Sequence, residues 1–418
     1  MRPNKRELST VENKTVRLSD RSGAPVFIDF FSNKEGNFNV TIPGVPGSGK
    51  TVLMKHIMKS YLSVGAKGWI IDIGRSYEDF VVANGGQLIK FRRDMPICIN
   101  PFSWVSSIVE DMWLLVPWVA RMAQAQGPYA MSLIERAVGD CYKEHRELTT
   151  ITDVQKYLME NCLASDNKID EEAYRLGIQM APFCKGGIYA DFFNGQTTFS
   201  INADLIVIEL EDLRSEPELL KAMIFVLMNR ITHEMYLSRD AKKIVILDEI
   251  LSYFAFEQSA QSADFIETCY RRARAYDGSF ITGTQGLGDC FQNPSDCKVY
   301  AFSDWKIYAR QDADTLKILK QKGQLNLEPS LELMIASLGT ESGKFSEFVV
   351  RSPLESGLVR LSIEPSQIES TAFTTFDFNP FNITDNFNET MTDVAASEMS
   401  FTAPYLKEME AKHATKSN

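Results

Sequence analysis

Residues 44–51, Gly-Val-Pro-Gly-Ser-Gly-Lys-Thr, form a complete phosphate-binding signature of the type G-x-x-x-x-G-K-T. An apolar segment, FNVTI (38–42), ends just before this signature. The segment that follows it, VLMKHIMKSYLSV (52–64), carries apolar side chains at helical spacing. Because a strand, a glycine-rich loop and a helix in this order are the context in which the signature binds phosphate, we predict a P-loop here.

The chemistry of phosphate binding explains the composition of this loop. Glycines let backbone N–H groups converge on phosphate oxygens, and the N-terminus of the helix adds unpaired donors with partial positive charge. We expect Lys50 to place a point charge near the β- and γ-phosphates and the Thr51 hydroxyl to bind Mg²⁺. The residues expected to contact the nucleotide are Gly44, Pro46, Gly47, Ser48, Gly49, Lys50, Thr51 and Val52.

A phosphate site of this kind also needs acidic residues, one for the metal and one to activate water. KIVILDE (243–249) is an apolar strand that ends in Asp248 and Glu249, and ligands bind at the carboxyl edge of a parallel sheet. We therefore assign Asp248 to the Mg²⁺ shell, through water, and Glu249 to the general base. Glu209, inside the apolar segment DLIVIEL (204–210), is the alternative residue for this acidic role.

Polar residues end two further predicted strands. SFITGTQ (279–285) places Gln285 where its side-chain amide can donate to a γ-phosphate or to an attacking water molecule. A polar strand end without a catalytic role is the alternative interpretation of this glutamine. Asp72, which ends the apolar segment WIID, has the same two interpretations.

Three arginines, Arg271, Arg272 and Arg274, fall near the C-terminus of a helix predicted over residues 259–276. In one interpretation they complement the helix dipole on a solvated turn. In the other, one of them is an arginine finger that is presented to the nucleotide of a neighbouring subunit. The sequence leaves both interpretations open.

The order of the remaining segments predicts an α/β fold with a parallel sheet. The predicted strands of the core cover residues 69–73, 87–91, 204–210, 242–249, 279–284 and 305–310. Residues 106–200 have only helical periodicity, with Thr152 as the expected N-cap of their third helix, and are interpreted as an inserted all-α subdomain. The predicted domains are a polar lead-in at 1–21, the first part of the core at 22–105, the helical subdomain at 106–200, the second part of the core at 201–365, and an extended tail with a short helix at 366–418.

The composition restricts the functional classes. The 418 residues are 44% hydrophobic and 24% charged, which is typical of a globular protein and excludes global disorder. The formal net charge of −11 does not favour direct nucleic-acid binding, because dedicated duplex binders are usually basic. No apolar stretch is long enough to predict a transmembrane helix, and the polar start predicts no signal peptide. Seven cysteines without a C-x-x-C pair indicate a reducing, cytoplasmic compartment.

Together these segments resemble the ATPase domain of the TraC/VirB-type conjugation ATPases of type IV secretion systems, in the HerA–FtsK branch of RecA-like P-loop motors. The resemblance spans residues 22–363. It rests on the P-loop and on the segments IIDIGRSYEDF (70–80), INPF (99–102), the helical insertion, VILDE (245–249) and YRRARAYDGSFITGTQGLGD (270–289), in this order. The P-loop alone occurs in many protein families, so the other segments are the ones that distinguish this family.

The resemblance implies a RecA-like core that hydrolyses ATP to ADP and phosphate. The site residues that it implies are Lys50 and Thr51 on ATP and Mg²⁺, Asp248 and Glu249 as Walker B acids, Gln285 as γ-phosphate sensor, and one of Arg271, Arg272 and Arg274 as the finger. It also implies a hexameric ring at the cytoplasmic face of the inner membrane, which energises pilus assembly or substrate transfer. The implied partners are inner-membrane and coupling components of a secretion apparatus.

Two other functions are compatible with the same residues. The first is a DNA-translocating HerA/FtsK-like motor or coupling protein, which would need a basic ring lumen inside this acidic chain. The second is a nucleotide-gated assembly scaffold with little turnover, against which the acidic pair at 248–249 argues. Members of the family usually carry a large N-terminal domain, whereas only residues 1–21 precede the first predicted strand here, as expected of an ATPase half or an unusually short member.

The tail of the chain carries a separate prediction. Residues 366–390 contain five phenylalanines among Asn and Thr, without helical or strand periodicity, namely Phe373, Phe376, Phe378, Phe381 and Phe387. Because each aromatic ring buries a large apolar area, we expect this stretch to pack in extended form on the core or on a neighbouring subunit. A disordered tail is the alternative that the composition allows.

Overall fold

A single mixed sheet organises the chain, and its strands are short runs of mostly apolar residues. The computed structural model describes residues 15–34, 36–250, 253 and 260–362. Within these ranges the strands are β1 (Val16–Ser19), β2 (Pro25–Ile28), β3 (Val40–Pro43), β4 (Lys67–Asp72), β5 (Gln87–Lys90), β6 (Leu205–Glu209), β7 (Lys243–Asp248), β8 (Gly278–Thr284), β9 (Trp305–Tyr308), β10 (Thr340–Glu341), β11 (Phe345–Arg351) and β12 (Ser356–Ser362).

The strand order is β2-β1-β12-β11-β9-β3-β8-β7-β4-β6-β5, and β10 pairs with β11. The seven strands from β9 to β5 run parallel to one another. The others pair antiparallel and extend the sheet beyond β9. The prediction of an α/β fold with a mostly parallel sheet is therefore confirmed.

Helices cover both faces of the parallel part of the sheet. They are α1 (Lys50–Leu62), α2 (Glu78–Ala83), α3 (Ile108–Met122), α4 (Gly127–His145), α5 (Ile151–Glu160), α6 (Glu171–Gln179), α7 (Pro217–Leu237), α8 (Ala260–Ala273), α9 (Pro294–Ala301), α10 (Ala313–Gln321) and α11 (Pro329–Ala336). Helices α3 to α6 lie between β5 and β6 in the chain, which is the predicted helical insertion. The exact domain boundaries remain a prediction.

Strand β7 illustrates why the parallel strands are apolar throughout. Its side chains alternate between two cores, with Ile244 and Ile246 packed towards α1 and Val245 and Leu247 packed towards the helices of the other face. Because both faces are covered, the strand is apolar from Ile244 to Leu247, and its polar residues, Lys243 and Asp248, stand at its two ends. The carboxyl edge is therefore where polar side chains gather.

The structure corrects one predicted helix cap. Helix α5 begins at Ile151, and its N-cap is Thr150, which forms a capping box with Asp153. Thr152 was the predicted cap, but it lies inside the first turn and its hydroxyl donates to Asn194 instead. The Thr150 N–H and hydroxyl both donate to the Asp153 carboxylate, so the N-cap lies two residues before the predicted one.

Other outcomes concern the ends of the chain and its cysteines. Strand β1 was not predicted, and it joins the sheet through β2 and β12. All seven cysteines are free thiols. Across the described ranges, no helix is both long enough and apolar enough to cross a membrane. The predicted packing of residues 366–390 lies outside the described residues.

Candidate nucleotide-binding site

The P-loop connects β3 to α1 and is fastened to the strands on both sides of β3. The backbone N–H of Gly44 donates to the carbonyl of Thr284 at the end of β8, at 3.2 Å. The N–H of Val45 donates to the carbonyl of Arg310 after β9, at 3.0 Å. The loop is thus held by its two neighbouring strands before any ligand arrives.

Two of the P-loop glycines meet steric demands that other residues would not satisfy. Gly49, at the start of α1, has a φ of +86°, and a Cβ built there would lie 2.2 Å from the Ser346 hydroxyl oxygen. A Cβ on Gly44 would lie 2.5 Å from that of Ala309. Close approach of other elements therefore requires glycine at both positions.

The Lys50 ammonium folds back over its own loop. Its Nζ donates to the carbonyl oxygens of Gly44 at 2.7 Å and Val45 at 3.2 Å. Burial lowers the pKa of this lysine, and the nearby carboxylates of Asp248 and Glu249 act in the opposite direction. The side chain is thus a cation held beside the loop by weak carbonyl acceptors.

The remaining predicted contacts of the loop differ in exposure. Pro46 and Gly47 are exposed at its tip, where Gly47 has a φ of +72°. Ser48 is buried, and its hydroxyl oxygen has no partner among the described residues. Val52 is buried within α1. The tip and the N-terminus of α1 therefore present backbone N–H groups, with one polar side chain unsatisfied.

Asp248 lies at the end of β7 and joins the P-loop helix to the sheet. Its Oδ2 accepts hydrogen bonds from the Thr51 hydroxyl at 3.1 Å and from the Tyr77 hydroxyl at 2.9 Å. Its Oδ1 is buried and has no hydrogen-bond partner in the described part of the chain. Burial, with help from the Glu249 carboxylate, raises the pKa of Asp248 to about 6.

Glu249 and Gln285 come together as neighbours at the same edge. The Gln285 amide Nε2 donates to Glu249 Oε2 at 3.1 Å. Glu249 has a φ of +57°, which is rare for a residue with a side chain, and its N–H donates to the Gly283 carbonyl at 3.3 Å. The backbone thus turns sharply after Asp248 and separates the directions of the two acidic residues.

The order of strands separates the two candidate acidic sites. Strand β7 lies two strands from β3, whereas β6, with Glu209, lies four strands away. At about 4.8 Å per strand, Glu209 is about 19 Å from the P-loop strand. Glu209 instead lies beside its register partner Asp72, and burial raises the pKa of both carboxyl groups. Asp248 is therefore the acidic residue that meets the P-loop.

The three predicted arginines lie at the other edge of the sheet. They precede β8, whose seven residues span about 23 Å, whereas Gln285 follows it. Arg271 pairs with Glu267, Arg272 stacks on the Trp113 ring, and Arg274 donates to the Lys34 carbonyl. The structure does not bring them to the P-loop of their own chain.

Two further residues reach the site that sequence analysis did not single out. Tyr77 contacts Asp248, and Gln311 accepts from the Leu287 N–H at 3.0 Å while its amide donates to the Pro43 carbonyl at 2.7 Å. Tyr77 belongs to the segment 70–80 that carried the family resemblance. A short Gly-Arg-Ser turn after an apolar strand is the signal that could have located it at the sheet edge.

The donor set suits Mg²⁺ bound together with a nucleotide. In the described ranges no three His, Cys, Asp or Glu side chains are grouped to hold a metal by themselves. Mg²⁺ in nucleotide sites usually takes one or two protein oxygens together with water and phosphates, so such a group is not required. The Thr51 hydroxyl and the unpartnered Oδ1 of Asp248 are oxygens of the expected kind.

Comparison with known sequences identifies similar proteins. The TraG P-loop domain family matches residues 15–112 and 128–401. Protein TraC of Escherichia coli (strain K12) is 26% identical over 355 residues, which is 81% of this chain and 40% of TraC. The type IV secretion system protein virB4 of Bartonella quintana (strain Toulouse) is 22% identical over 329 residues, 78% of this chain and 40% of virB4. The chain thus spans 40% of the length of these curated relatives, and the predicted resemblance is confirmed.

Solved structures share the fold. VirB4 of Thermoanaerobacter pseudethanolicus superposes with a TM-score of 0.71 at 19% identity, over 86% of this chain and 99% of that one. The plasmid coupling protein TrwB in complex with ADP and Mg²⁺ gives a TM-score of 0.52 at 14% identity, over 87% and 85% of the two chains. This likeness confirms the RecA-like P-loop fold.

Proposed function

Because the chain belongs to the TraG P-loop domain family, we propose that it hydrolyses Mg²⁺-ATP as the motor of a conjugative type IV secretion system. The observation that carries this proposal is the contact between the Thr51 hydroxyl of the P-loop helix and the Asp248 carboxylate of β7. That contact joins the two halves of a Walker-type site. The acidic pair at 248–249 favours turnover over a purely structural, nucleotide-gated role.

Phosphate binding is the task of the P-loop. Lys50 now donates to two carbonyls of its own loop, and a triphosphate offers it anionic acceptors in their place. An anionic phosphate oxygen attracts the ammonium group more strongly than a neutral carbonyl oxygen does, so the exchange favours the bound nucleotide. Glycine backbone and the α1 N-terminus supply the other donors.

Water activation is the task of Glu249. Its carboxylate stands at the end of β7 and accepts a hydrogen bond from Gln285. In this geometry Glu249 accepts the proton of the attacking water, and Gln285 orients the acid or donates to the γ-phosphate. Thr51 and Asp248 would hold Mg²⁺, which would supply charge neutralisation on the phosphates when bound. The structure of TrwB with ADP and Mg²⁺, a neighbour in fold, supports this pair of cofactors.

The assembly is proposed on the family relationship. Two curated relatives are type IV secretion system proteins by name, which supports components of such an apparatus as partners. We propose a ring, with six subunits, at the cytoplasmic face of the inner membrane. The position of Arg271, Arg272 and Arg274 away from their own P-loop supports a finger that acts on a neighbouring subunit.

Phosphate release in the presence of Mg²⁺-ATP tests the proposed activity. Lys50→Ala should abolish ATP binding or reduce turnover by at least about 100-fold, since the anion loses its main point charge. Lys59→Ala, an exposed lysine on the same helix, is the matched control and should keep the wild-type rate. A Lys50→Ala protein with wild-type turnover would contradict the proposal.

A further inference from the structure

We propose that Tyr77 is a positioning residue of the magnesium site, which holds the Asp248 carboxylate in the orientation that Mg²⁺ binding needs. This inference rests on the proposed function, because Tyr77 supports a residue of the same proposed site. It also gives a role to residues 72–77, a segment that belongs neither to the P-loop signature nor to the acidic pair.

The hydrogen bonds of Asp248 are divided unequally between its two oxygens. Oδ2 receives both hydroxyl groups, from Thr51 and from Tyr77, whereas Oδ1 receives none from the described residues. Thr51 must keep its lone pairs for a metal, so its hydroxyl hydrogen alone is available to Asp248. Tyr77 adds the second donor, and two hydroxyl groups on the same oxygen fix the orientation of the carboxylate beside Thr51.

The ring of Tyr77 is fixed on several sides. The residue is completely buried, with 0% exposure. The Phe80 ring packs edge-on against it at 6.3 Å between centroids, and the Lys55 ammonium lies 5.6 Å from the centre of the tyrosine ring. A hydroxyl on so confined a ring has a defined position, which a flexible or exposed side chain would not provide.

Backbone geometry brings this ring from β4 to β7. Gly74 and Arg75 follow β4 with φ values of +138° and +58°, so the chain turns tightly after Asp72. The carboxylate of Asp72 accepts the Ser76 N–H at 2.6 Å and closes the turn. Asp72 therefore acts on the site through Tyr77, a positioning role that neither of its two sequence interpretations included.

The chain contains a matched control for the loss of this hydroxyl. Tyr61, on α1, is also completely buried, and its hydroxyl donates to a carboxylate, Asp29 Oδ1, at the same distance of 2.9 Å. Asp29 follows β2 and lies outside the site. Tyr61→Phe and Tyr77→Phe both remove a hydrogen bond from a buried hydroxyl to a carboxylate, and only the second touches Asp248. Tyr61→Phe also removes the acceptor of the Phe30 N–H, so it is the more demanding control for effects on the fold.

Equilibrium binding of ADP to the full chain, with excess EDTA or with Mg²⁺, tests the proposal. Tyr77→Phe should bind ADP in EDTA as the wild type does, and should need about 10-fold more Mg²⁺ for half of the metal-dependent gain in affinity. Tyr61→Phe should match the wild type in both conditions. The same shift in the Mg²⁺ concentration for half-maximal phosphate release is expected for Tyr77→Phe alone.

The outcomes separate this inference from the proposed function. An unchanged Mg²⁺ requirement in Tyr77→Phe, or an equal shift in Tyr61→Phe, would overturn the role of Tyr77 and leave the ATPase proposal intact. A Tyr77→Phe protein that binds no ADP in EDTA would assign the hydroxyl to the fold and would also overturn it. A wild-type chain with neither a Mg²⁺-dependent gain in ADP binding nor Mg²⁺-dependent phosphate release would overturn both.

Discussion

Gln285 is the residue whose proposed role depends most directly on one contact, its hydrogen bond to Glu249. Gln285→Ala should lower the ATP turnover number by about 100-fold while ATP affinity stays near the wild-type value, since the lost donor acts on the transition state. Steady-state phosphate release and equilibrium ATP binding check the two parts. Gln321→Ala, an exposed residue of α10, is the control. A turnover number unchanged in Gln285→Ala would make it a polar strand end without a role.

The residues that form the site directly could be predicted from the sequence, because each of them belongs to a local sequence pattern. Lys50 and Thr51 follow the glycines of the P-loop, and Asp248 ends an uninterrupted apolar strand. Tyr77 has no such pattern, because its contact with Asp248 spans 171 positions and depends on two strands being adjacent. Long-range side-chain contacts of this kind are visible only in the folded chain.

At the scale of elements, the antiparallel extension of the sheet depends on one buried carboxylate. Glu347 of β11 accepts from the Arg21 guanidinium at 2.7 and 2.9 Å, from Arg360 at 2.8 Å and from the Gly339 N–H at 3.0 Å. These bonds, that of Arg21 foremost, hold the pKa of Glu347 at about 2. The cluster ties the turn after β1 to β11 and β12.

Glu347→Gln should therefore lower the free energy of unfolding at neutral pH by about 2 kcal/mol, the scale of hydrogen bonds to a charged group. Because the pKa is depressed in the folded state, this stability is present above the ordinary pKa of 4.5 and is lost as the pH falls towards about 2. Urea unfolding across this range should show the variant and the wild type converging. Glu341→Gln, which breaks an exposed pair with Lys344, should change stability little at any pH.

Strands could be predicted where apolar residues form an uninterrupted run. The strands of the parallel core are apolar runs between turn residues, and they lie where the sequence places them. Strand β1, VRLS, has two apolar residues that alternate with Arg17 and Ser19, so no apolar run marks it. The cap of α5 was misplaced because two threonines, Thr150 and Thr152, offer similar patterns, and the choice between them depends on tertiary partners.

At the scale of the whole molecule, the arginines at one sheet edge and the P-loop at the other predict a site that is completed between subunits. An Arg271→Ala, Arg272→Ala, Arg274→Ala triple variant should keep ATP affinity and lose about 1,000-fold or more in turnover. Mixing it with Lys50→Ala protein should restore activity, because one subunit keeps the P-loop and the other keeps the finger. Phosphate release in the mixture, and its rise with protein concentration, are the measurements.

The control is a single chain that carries the three arginine substitutions together with Lys50→Ala. Mixed with either the triple variant or the Lys50→Ala protein, it should restore no activity. Turnover strictly proportional to protein concentration, without rescue on mixing, would mean that the site is complete within one chain. The sequence alone could not decide whether the arginines lie near the P-loop of their own chain. Their position relative to the sheet depends on the direction of the strand that follows their helix.

The most direct test of the proposed catalytic centre compares Glu249→Gln with Glu209→Gln in ATP binding and phosphate release. The order of strands puts Glu249 beside the P-loop and Glu209 about 19 Å away. Glu249→Gln should therefore bind ATP like the wild type and lose about 100- to 10,000-fold in hydrolysis, as expected when a general base is removed. Glu209→Gln should hydrolyse ATP at a rate close to that of the wild type. Wild-type turnover in Glu249→Gln together with an inactive Glu209→Gln would contradict the assignment of the catalytic centre to the end of β7.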